Sequence, residues 1–273
     1  QMRGHKDSNR VPALLVLDLD GTTCDDQGNI SRENRRALQW VRSQGNMVCF
    51  ATGRREVDML PLGDVSDCAD YLLLNNGGKL VETGSGRVLF RERIDPVSAR
   101  QLVEFCLHHD YLLHVLAGPL WAVNKENDSL REYADQLGVW PSRFQHCDQL
   151  PLDDIEGFTV TQDWKPVWEF VRRKGLALSV TPSDPTSVDI MAPGISKWNG
   201  ICRLLSLLPV QPFRIIAVGD YDNDIEMIKN SDIGVAVANA RPHVKGAADY
   251  VSPFCNNEDT VAHIVTHFFE EIQ

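Results

Sequence analysis

The sequence predicts an α/β protein: a Rossmann-like, doubly wound parallel sheet into which a second, α+β domain is inserted. The first observation is a set of short runs that are apolar on both faces, at residues 13–17, 47–51, 71–74, 214–218 and 233–237. Such runs are typical of parallel strands that helices cover on both sides. The second observation is that amphipathic helical segments accompany these runs at both ends of the chain. The third is that this alternation stops in the middle of the chain, which indicates a separate domain.

Three helical segments accompany the apolar runs of the predicted core. The first, residues 31–44, has one apolar side and is followed by Gly45, a residue type that commonly ends helices. The second follows Ser196 and repeats apolar residues at i, i+3, i+4 and i+7, and the third has the same spacing at 261–268. Active sites of doubly wound sheets lie at the carboxyl ends of the strands. We therefore expect functional residues directly after the apolar runs.

Residues 80–189 are predicted to be an inserted α+β cap. A hairpin is expected around Thr83-Gly84-Ser85-Gly86, followed by helices from residue 95 and over about 128–138 and 165–175. Strand-like pieces surround these helices at 111–116, 158–161, 177–181 and 187–191. The core is then made of residues 11–79 and 190–273, after a flexible N-terminal tail at residues 1–10. A domain joined to a core by two linkers can close over an active site.

Composition excludes several classes of partner. The chain has 273 residues and a formal net charge of −11, which makes nucleic acid an unlikely partner. Its seven cysteines are scattered without CxxC spacing, as expected of reduced residues in a cytoplasmic protein. Because no apolar run approaches membrane-spanning length and no signal peptide is visible, we expect no membrane partner. The sequence does not indicate an oligomeric state.

The run Leu14-Leu-Val-Leu-Asp18-Leu-Asp20-Gly21-Thr22 is the most informative motif. Side chains alternate along a strand, so Asp18 and Asp20 are expected on the same face. Two crowded carboxylates repel each other and usually persist where a metal ion or a proton transfer uses them. The alternative is an Asp pair that caps the next turn, with Gly21 present for its positive φ.

Two further motifs suit the binding of an oxyanion. Thr52-Gly53-Arg54 follows an apolar run, where a hydroxyl and backbone N–H groups can hold phosphate, although Thr is also a common helix N-cap. Lys197 lies in the first turn of a helix, against the preference of the helix dipole. A nearby anion or carboxylate explains that position, and a solvated surface lysine is the alternative.

The fourth motif, Gly219-Asp220-Tyr221-Asp222-Asn223-Asp224, follows the apolar run at 214–218. Mg²⁺ takes oxygen ligands and keeps several waters, so one or two carboxylates suffice to bind it. The spacing is too short for an EF-hand loop, and a solvent-facing acidic loop without metal is the alternative.

Together the four motifs resemble those of the haloacid dehalogenase superfamily of phosphohydrolases, in particular its Cof-type members with a large α/β cap of type IIB. The matching segments are Asp18-Leu-Asp20-Gly-Thr, Thr52-Gly53-Arg54, Lys197 and Gly219-Asp220-x-x-Asn223-Asp224-x-x-Met227. Asn76-Gly77-Gly78 resembles the segment at which the Cof core enters its cap, and Ile233–Ala240 is similar to the next strand and turn. Thr23-Cys24 and Trp198 depart from the usual pattern. The cap is matched by position and predicted topology only.

The resemblance implies a phosphatase with a covalent intermediate. Asp18 would attack phosphorus and form an aspartyl-phosphate, while Asp20 would protonate the leaving alcohol and later deprotonate water. Thr52 and Lys197 would complete the catalytic set by steadying the phosphate oxygens. The implied phosphate and substrate ligands are Gly21, Thr52, Gly53, Lys197 and Asn223. The implied cofactor is Mg²⁺, and its candidate ligands are Asp18, Asp20 (through its carbonyl), Asp220 and Asp224, of which Asp224 could instead orient Lys197 or a metal-bound water.

The resemblance also favours a small phosphorylated metabolite, a sugar phosphate first, selected by the cap. Candidate sugar-lining residues in the cap are Trp121, Asn124, Lys125, Asp163 and Trp164, for each of which a structural role is the alternative. A metal site at His108, His109 and His114 is rejected because no ligand spacing supports it.

Three other functions stay open at this point. A phosphosugar mutase would move phosphate within one sugar and uses a similar capped core. A glycosyltransferase with an Asp-x-Asp metal site would leave Lys197 and the fourth motif without a role. A non-catalytic phospho-acceptor domain shares the acids, the Thr and the Lys, but the inserted domain and the chain length speak against it.

Overall fold

The computed structural model describes residues 11–184 and 186–270, so the tail predicted at 1–10 lies outside the described residues. The described chain divides into two compact units. We name them the core unit (11–52, 62–89 and 196–270) and the cap unit (53–61 and 90–195). The cap unit thus includes a short segment that follows the second motif, and the hairpin expected around residue 84 lies in the core unit.

An eight-stranded sheet forms the centre of the core unit, in the order β14-β13-β12-β1-β2-β3-β4-β5. Its strands are β1 (Ala13–Leu17), β2 (Met47–Ala51), β3 (Tyr71–Leu74), β4 (Lys79–Glu82), β5 (Arg87–Arg91), β12 (Arg214–Gly219), β13 (Ile233–Ala236) and β14 (Tyr250–Val251). The strands from β14 to β3 pair in parallel, and β4 pairs antiparallel with β3. β1 is wholly buried, as an interior parallel strand requires.

Helices connect the strands of this sheet. They are α1 (Arg32–Ser43), α5 (Lys197–Leu207), α6 (Ile225–Asn230), α7 (Pro242–Ala247) and α8 (Thr260–Val265), and a π-helical turn follows α8 at Thr266–Glu270. The side chain of Ser31 accepts a hydrogen bond from Asn34 N and thereby caps α1. Ser196 caps α5 in the same way, so that α5 begins at Lys197.

The cap unit has its own six-stranded sheet, in the order β10-β11-β9-β6-β7-β8, with helices α2, α3 and α4. The strands are β6 (Leu113–Ala117), β7 (Leu120–Val123), β8 (Ser142–Arg143), β9 (Gly157–Thr161), β10 (Ser179–Asp184) and β11 (Ser187–Met191). The helices are α2 (Pro96–His108), α3 (Asp128–Leu137) and α4 (Lys165–Lys174). Its pairs are antiparallel except β7 with β8, and the unit encloses its own buried apolar cluster.

The predicted fold class, a doubly wound core with an α+β cap, is confirmed. The strands β7, β8 and β14 are absent from the sequence-based prediction; β8 and β14 have two residues each, which is too few to show a periodic pattern. Among the described residues, no helix is both long and apolar enough to cross a membrane.

Candidate active site

Asp18 is the first residue beyond β1, at the carboxyl edge of the core sheet. Its backbone N–H donates to Val218 O at 3.0 Å, which extends the parallel ladder with β12 by one step. Its carbonyl accepts a hydrogen bond of 2.7 Å from Thr23 Oγ1. The turn is thereby tied down, and the Asp18 side chain stays buried.

Asp20 and Gly21 form the turn after Asp18. Asp20 is exposed, whereas Gly21 has a φ of +75° and packs closely against Asp220. A Cβ on Gly21 would lie 2.6 Å from Asp220 Oδ2, so only glycine fits both the conformation and the space. The carbonyl of Gly21 accepts a hydrogen bond of 2.8 Å from Asn239 Nδ2.

Lys197 reaches the same edge of the sheet from the first turn of α5. Its ammonium donates to Asp18 Oδ1 at 2.7 Å and to Asp224 Oδ1 at 2.6 Å. Lys197 is 1% exposed, Asp18 is 6% exposed and Asp224 is 0% exposed, so solvent has almost no access to this ion triad. A solvated surface lysine, the alternative for this motif, is therefore wrong.

Asp224 uses both carboxylate oxygens. Oδ1 accepts from Lys197, while Oδ2 accepts from the backbone N–H groups of Asp220 and Tyr221, at 2.9 and 3.1 Å. Asp224 therefore holds the loop after β12 and the lysine at the same time.

Asp220 is half-buried beside Asp18. Its Oδ1 accepts a hydrogen bond of 2.9 Å from Thr22 Oγ1, which fixes the carboxylate toward the turn after β1. The same residue's carbonyl accepts from Arg241 N at 3.1 Å. The turn after β1 thus holds the carboxylate of Asp220, and the residue before α7 holds its backbone.

Burial and crowding set the charges of this cluster. Burial, then the carboxylate of Asp224, raise the pKa of Asp18 well above its usual range, and Lys197 opposes them. The pKa of Asp220 is also raised, first by burial and also by Asp224. For Lys197, burial favours a lower pKa, but the charges of Asp18 and Asp224 outweigh it and raise the pKa. Further positive charge beside these two acids would favour their ionised forms.

The cluster fits a hard divalent cation. One oxygen from each of Asp18, Asp220 and Asp224 lies within 4.8 Å of the others. Oxygen donors of this kind suit Mg²⁺, and a cation there would lower the pKa values that crowding raises. Because both oxygens of Asp224 already accept hydrogen bonds, Asp18 and Asp220 offer the more available donors.

Thr52 and Asn223 lie on neighbouring loops of the core unit. Thr52 is buried directly after β2, and its N–H donates to Leu73 O at 2.9 Å. Asn223 is exposed, and its Nδ2 donates to Asn76 Oδ1 at 3.0 Å. The division between the units falls directly after Thr52, so Gly53 is the first residue of the cap-unit segment.

In the cap unit, several of the candidate sugar-lining residues have local partners. Asn124 Oδ1 accepts from Leu113 N at 2.8 Å. Lys125 Nζ pairs with Asp110 Oδ1 at 3.1 Å. The indole of Trp121 is buried and donates to His114 Nδ1 at 3.1 Å. These contacts favour the structural alternative for all three. Asp163 is exposed and Trp164 packs against the apolar core of the cap unit.

Sequence reasoning missed the residues that hold the others in place. Thr22, Asn76 and Asn239 each donate or accept a hydrogen bond to a predicted site residue or its turn. All three lie in segments that resemble the family, but that resemblance assigns them no role. It does not tell a supporting residue from any other loop residue.

Comparison with known proteins shows which family the chain resembles over most of its length. The family described as haloacid dehalogenase-like hydrolase matches residues 15–265. A 5-amino-6-(5-phospho-D-ribitylamino)uracil phosphatase of Bacillus subtilis, YcsE, is 30% identical, over 93% of this chain and 95% of the relative.

Two solved structures share the fold over 94% of this chain. A haloacid dehalogenase-like hydrolase from Bacteroides thetaiotaomicron has a TM-score of 0.84 at 26% identity, over 100% of that structure. The subclass IIB sugar phosphatase BT4131 has a TM-score of 0.80 at 22% identity, over 98% of that structure. The chain therefore belongs to the haloacid dehalogenase-like hydrolase family, in which it is a Cof-type phosphatase, and it shares the fold of the subclass IIB structure.

Proposed function

We propose that the chain is a Mg²⁺-dependent phosphatase that hydrolyses a sugar or sugar-alcohol phosphate through an aspartyl-phosphate on Asp18. The observation that carries the proposal is the buried triad of Lys197 with Asp18 and Asp224, beside Asp220. The ammonium supplies positive charge for a phosphoryl group that gains negative charge in the transition state, and Asp18 beside it supplies the nucleophile.

In the first step, a carboxylate oxygen of Asp18 attacks phosphorus. A bond forms between that oxygen and phosphorus, and the bond from phosphorus to the leaving alcohol breaks. Asp20, exposed and two residues further along the turn, gives its proton to the leaving oxygen. Lys197 holds the attacking carboxylate through Asp18 Oδ1 at 2.7 Å, which fixes its orientation before substrate arrives.

In the second step, water replaces Asp18 on phosphorus. Asp20, now ionised, takes a proton from the water as the new phosphorus–oxygen bond forms. The acyl phosphate bond then breaks and returns the Asp18 carboxylate and inorganic phosphate. Splitting the reaction in this way replaces one difficult step by two easier ones.

The phosphate oxygens need donors around this centre. Lys197 supplies a charge, and the hydroxyl of Thr52 supplies a neutral donor at the next strand end. The backbone at Gly21 and Gly53 and the side chain of Asn223 complete the proposed ligands. Asp224 acts through Lys197 and the loop after β12 rather than on the phosphate, since its oxygens accept three hydrogen bonds.

The proposed ligands of Mg²⁺ are the carboxylates of Asp18 and Asp220 and the carbonyl of Asp20. When bound, the ion supplies positive charge that lowers the repulsion between a carboxylate nucleophile and a phosphate. Thr22 holds Asp220 in place for this role through its 2.9 Å hydrogen bond.

The substrate class rests on the relatives. The name of YcsE describes a phosphate on a ribityl chain, and that of BT4131 describes a sugar phosphatase. Both describe a phosphate monoester of a polyhydroxylated carbon chain, which is the class we propose.

The test is a panel of sugar, sugar-alcohol and nucleotide monophosphates, each assayed for free phosphate with Mg²⁺ and with EDTA. We expect release from the sugar and sugar-alcohol members, lost with EDTA and restored by excess Mg²⁺. Activity that survives EDTA would overturn the metal assignment. An isomeric sugar phosphate formed without free phosphate would show a mutase instead.

A further inference from the structure

The turn Asn75–Gly77 has an unusual backbone. Asn75 and Asn76 have φ values of 54° and 56°, and Gly77 has a φ of 105°. Consecutive non-glycine residues in the left-handed region cost free energy and cluster at functional sites. This turn follows β3, at the same sheet edge as Asp18.

Asn76 connects two of the site's loops by hydrogen bonds. Its N–H donates to Thr52 O at 2.9 Å, and its Oδ1 accepts from Asn223 Nδ2 at 3.0 Å. Asn76 is 9% exposed, although its partner Asn223 is exposed. The backbone N–H of Asn76 therefore fixes the backbone that carries the Thr52 hydroxyl, and its side-chain oxygen fixes the orientation of the Asn223 side chain.

Gly77 brings the same turn against a third loop. A Cβ on Gly77 would lie 2.1 Å from Ser196 O, and a Cβ on Gly200 would lie 2.9 Å from the Gly77 Cα. The turn therefore touches the first turn of α5, from which Lys197 extends. The segments that carry the proposed phosphate ligands Thr52, Asn223 and Lys197 therefore all contact this turn.

We propose that Asn76 is a positioning residue for the phosphate site, acting through Asn223 and Thr52. The inference rests on the proposed phosphatase function. The left-handed backbone lets the Asn76 side chain reach Asn223 while its N–H reaches Thr52. Asn is one of the few residues with a side chain that accept this conformation readily.

The test separates the backbone of the turn from the Asn76 side chain. Asn76→Gly keeps positive φ readily but removes the acceptor for Asn223. We expect kcat/KM for the best panel substrate to fall at least about tenfold, which is the scale for losing one positioning contact. The thermal unfolding midpoint should stay close to that of the parent protein.

Asn75→Gly is the matched control. Asn75 has the same left-handed backbone, and its Oδ1 is buried with no hydrogen-bond partner among the described residues. This variant should keep the parent's kcat/KM, because the change to glycine is the same and no link to Thr52 or Asn223 is lost.

The decisive comparison is a double-mutant cycle with Asn223→Ala. If Asn76 acts through Asn223, Asn76→Gly should add less to the loss in the Asn223→Ala background than it causes alone. A full additional loss would overturn the inference, and so would parent-like activity of Asn76→Gly.

Asn76→Asp covers the case in which the glycine variant does not fold. Asp tolerates the left-handed region and keeps an oxygen acceptor for Asn223, so any loss of kcat/KM that Asn76→Asp causes should be smaller in the Asn223→Ala background than alone. Additive losses would contradict the inference. An inactive parent enzyme would instead refute the proposed function, so the two failures are distinguishable.

Discussion

At the scale of single residues, Lys197 supplies the positive charge that stabilises the buried acids around it. It is the cation that contacts both Asp18 and Asp224, and its side chain is fully buried. A buried ion pair costs desolvation, and removing one partner leaves an uncompensated charge. The position of this lysine is thus tied to both stability and chemistry.

Lys197→Met should therefore lower both the stability and the catalytic activity of the protein. We expect a loss of kcat of at least about 10²-fold, as for loss of one transition-state donor, and a fall in the free energy of unfolding of about 3 kcal/mol. Urea unfolding without Mg²⁺ and phosphate release are the measurements. The control is Lys229→Met at an exposed position of α6, which should change the stability by less than about 0.5 kcal/mol. Parent-like turnover of Lys197→Met would contradict the role of the lysine.

Gly21 offers a second test at this scale. Gly21→Ala places a methyl group 2.6 Å from Asp220 Oδ2, whereas Gly45→Ala has a similar φ of +84° and open space within 4 Å. Both variants should lose about 1 kcal/mol of stability from the backbone conformation. Only Gly21→Ala should need more Mg²⁺ for half-maximal activity, because it moves a proposed metal ligand. Equal Mg²⁺ titrations for the two variants would remove Asp220 from the metal site.

At the scale of elements, the segment 53–61 belongs to the cap unit because of a specific ion network. Arg55 donates to both oxygens of Asp58, at 2.6 and 2.8 Å, and Tyr133 of α3 donates to the same carboxylate. The guanidinium also lies 5.1 Å from the ring centroid of Trp121 in β7. A helix, a strand and a short loop segment are thereby joined.

The hairpin of β6 and β7 holds a histidine that this network keeps neutral. His114 accepts a hydrogen bond from Trp121, and burial, then the charge of Arg55, lower its pKa to about 4. The ordinary value is 6.5, so the unfolded chain binds more protons between pH 4 and 6.5. Stability therefore rises with pH through that window, and the contribution of neutral His114 is lost as the pH falls toward 4.

His114→Gln should flatten this dependence, because glutamine offers an acceptor to Trp121 but does not titrate. Between pH 7 and 4.5, the parent should lose about 2 kcal/mol more free energy of unfolding than the variant. Urea unfolding at several pH values, followed by tryptophan fluorescence, is the measurement. If the free energy of unfolding fell equally with pH in the two proteins, His114 would not be the group that causes the pH dependence.

At the scale of the whole molecule, the sequence predicts the core and the placement of its acids well. Asp18, Lys197 and Asp224 come from distant parts of the chain, yet each follows or opens an element at the carboxyl edge of a parallel sheet. That edge is a property of the fold class, so local patterns suffice to place them. The buried triad is the consequence.

The remaining features depend on contacts that no local pattern contains. Asp58 and Tyr133 are 75 positions apart, so the membership of segment 53–61 in the cap unit is visible only in three dimensions. The link from Asn223 to Asn76 depends on a left-handed turn whose sequence, Asn-Asn-Gly, indicates a turn but not its partner. Substrate choice belongs to this same group, since it depends on side chains that a motif does not place.

The central claim is that a carboxylate oxygen of Asp18 forms the covalent bond to phosphorus. Its most direct measurement is phosphate release by Asp18→Asn beside the parent protein, at saturating Mg²⁺ and with folding checked by circular dichroism. The account predicts a folded variant whose turnover falls about 10⁴-fold or more, because an amide neither attacks phosphorus nor carries the charge. Turnover within about tenfold of the parent's would contradict it.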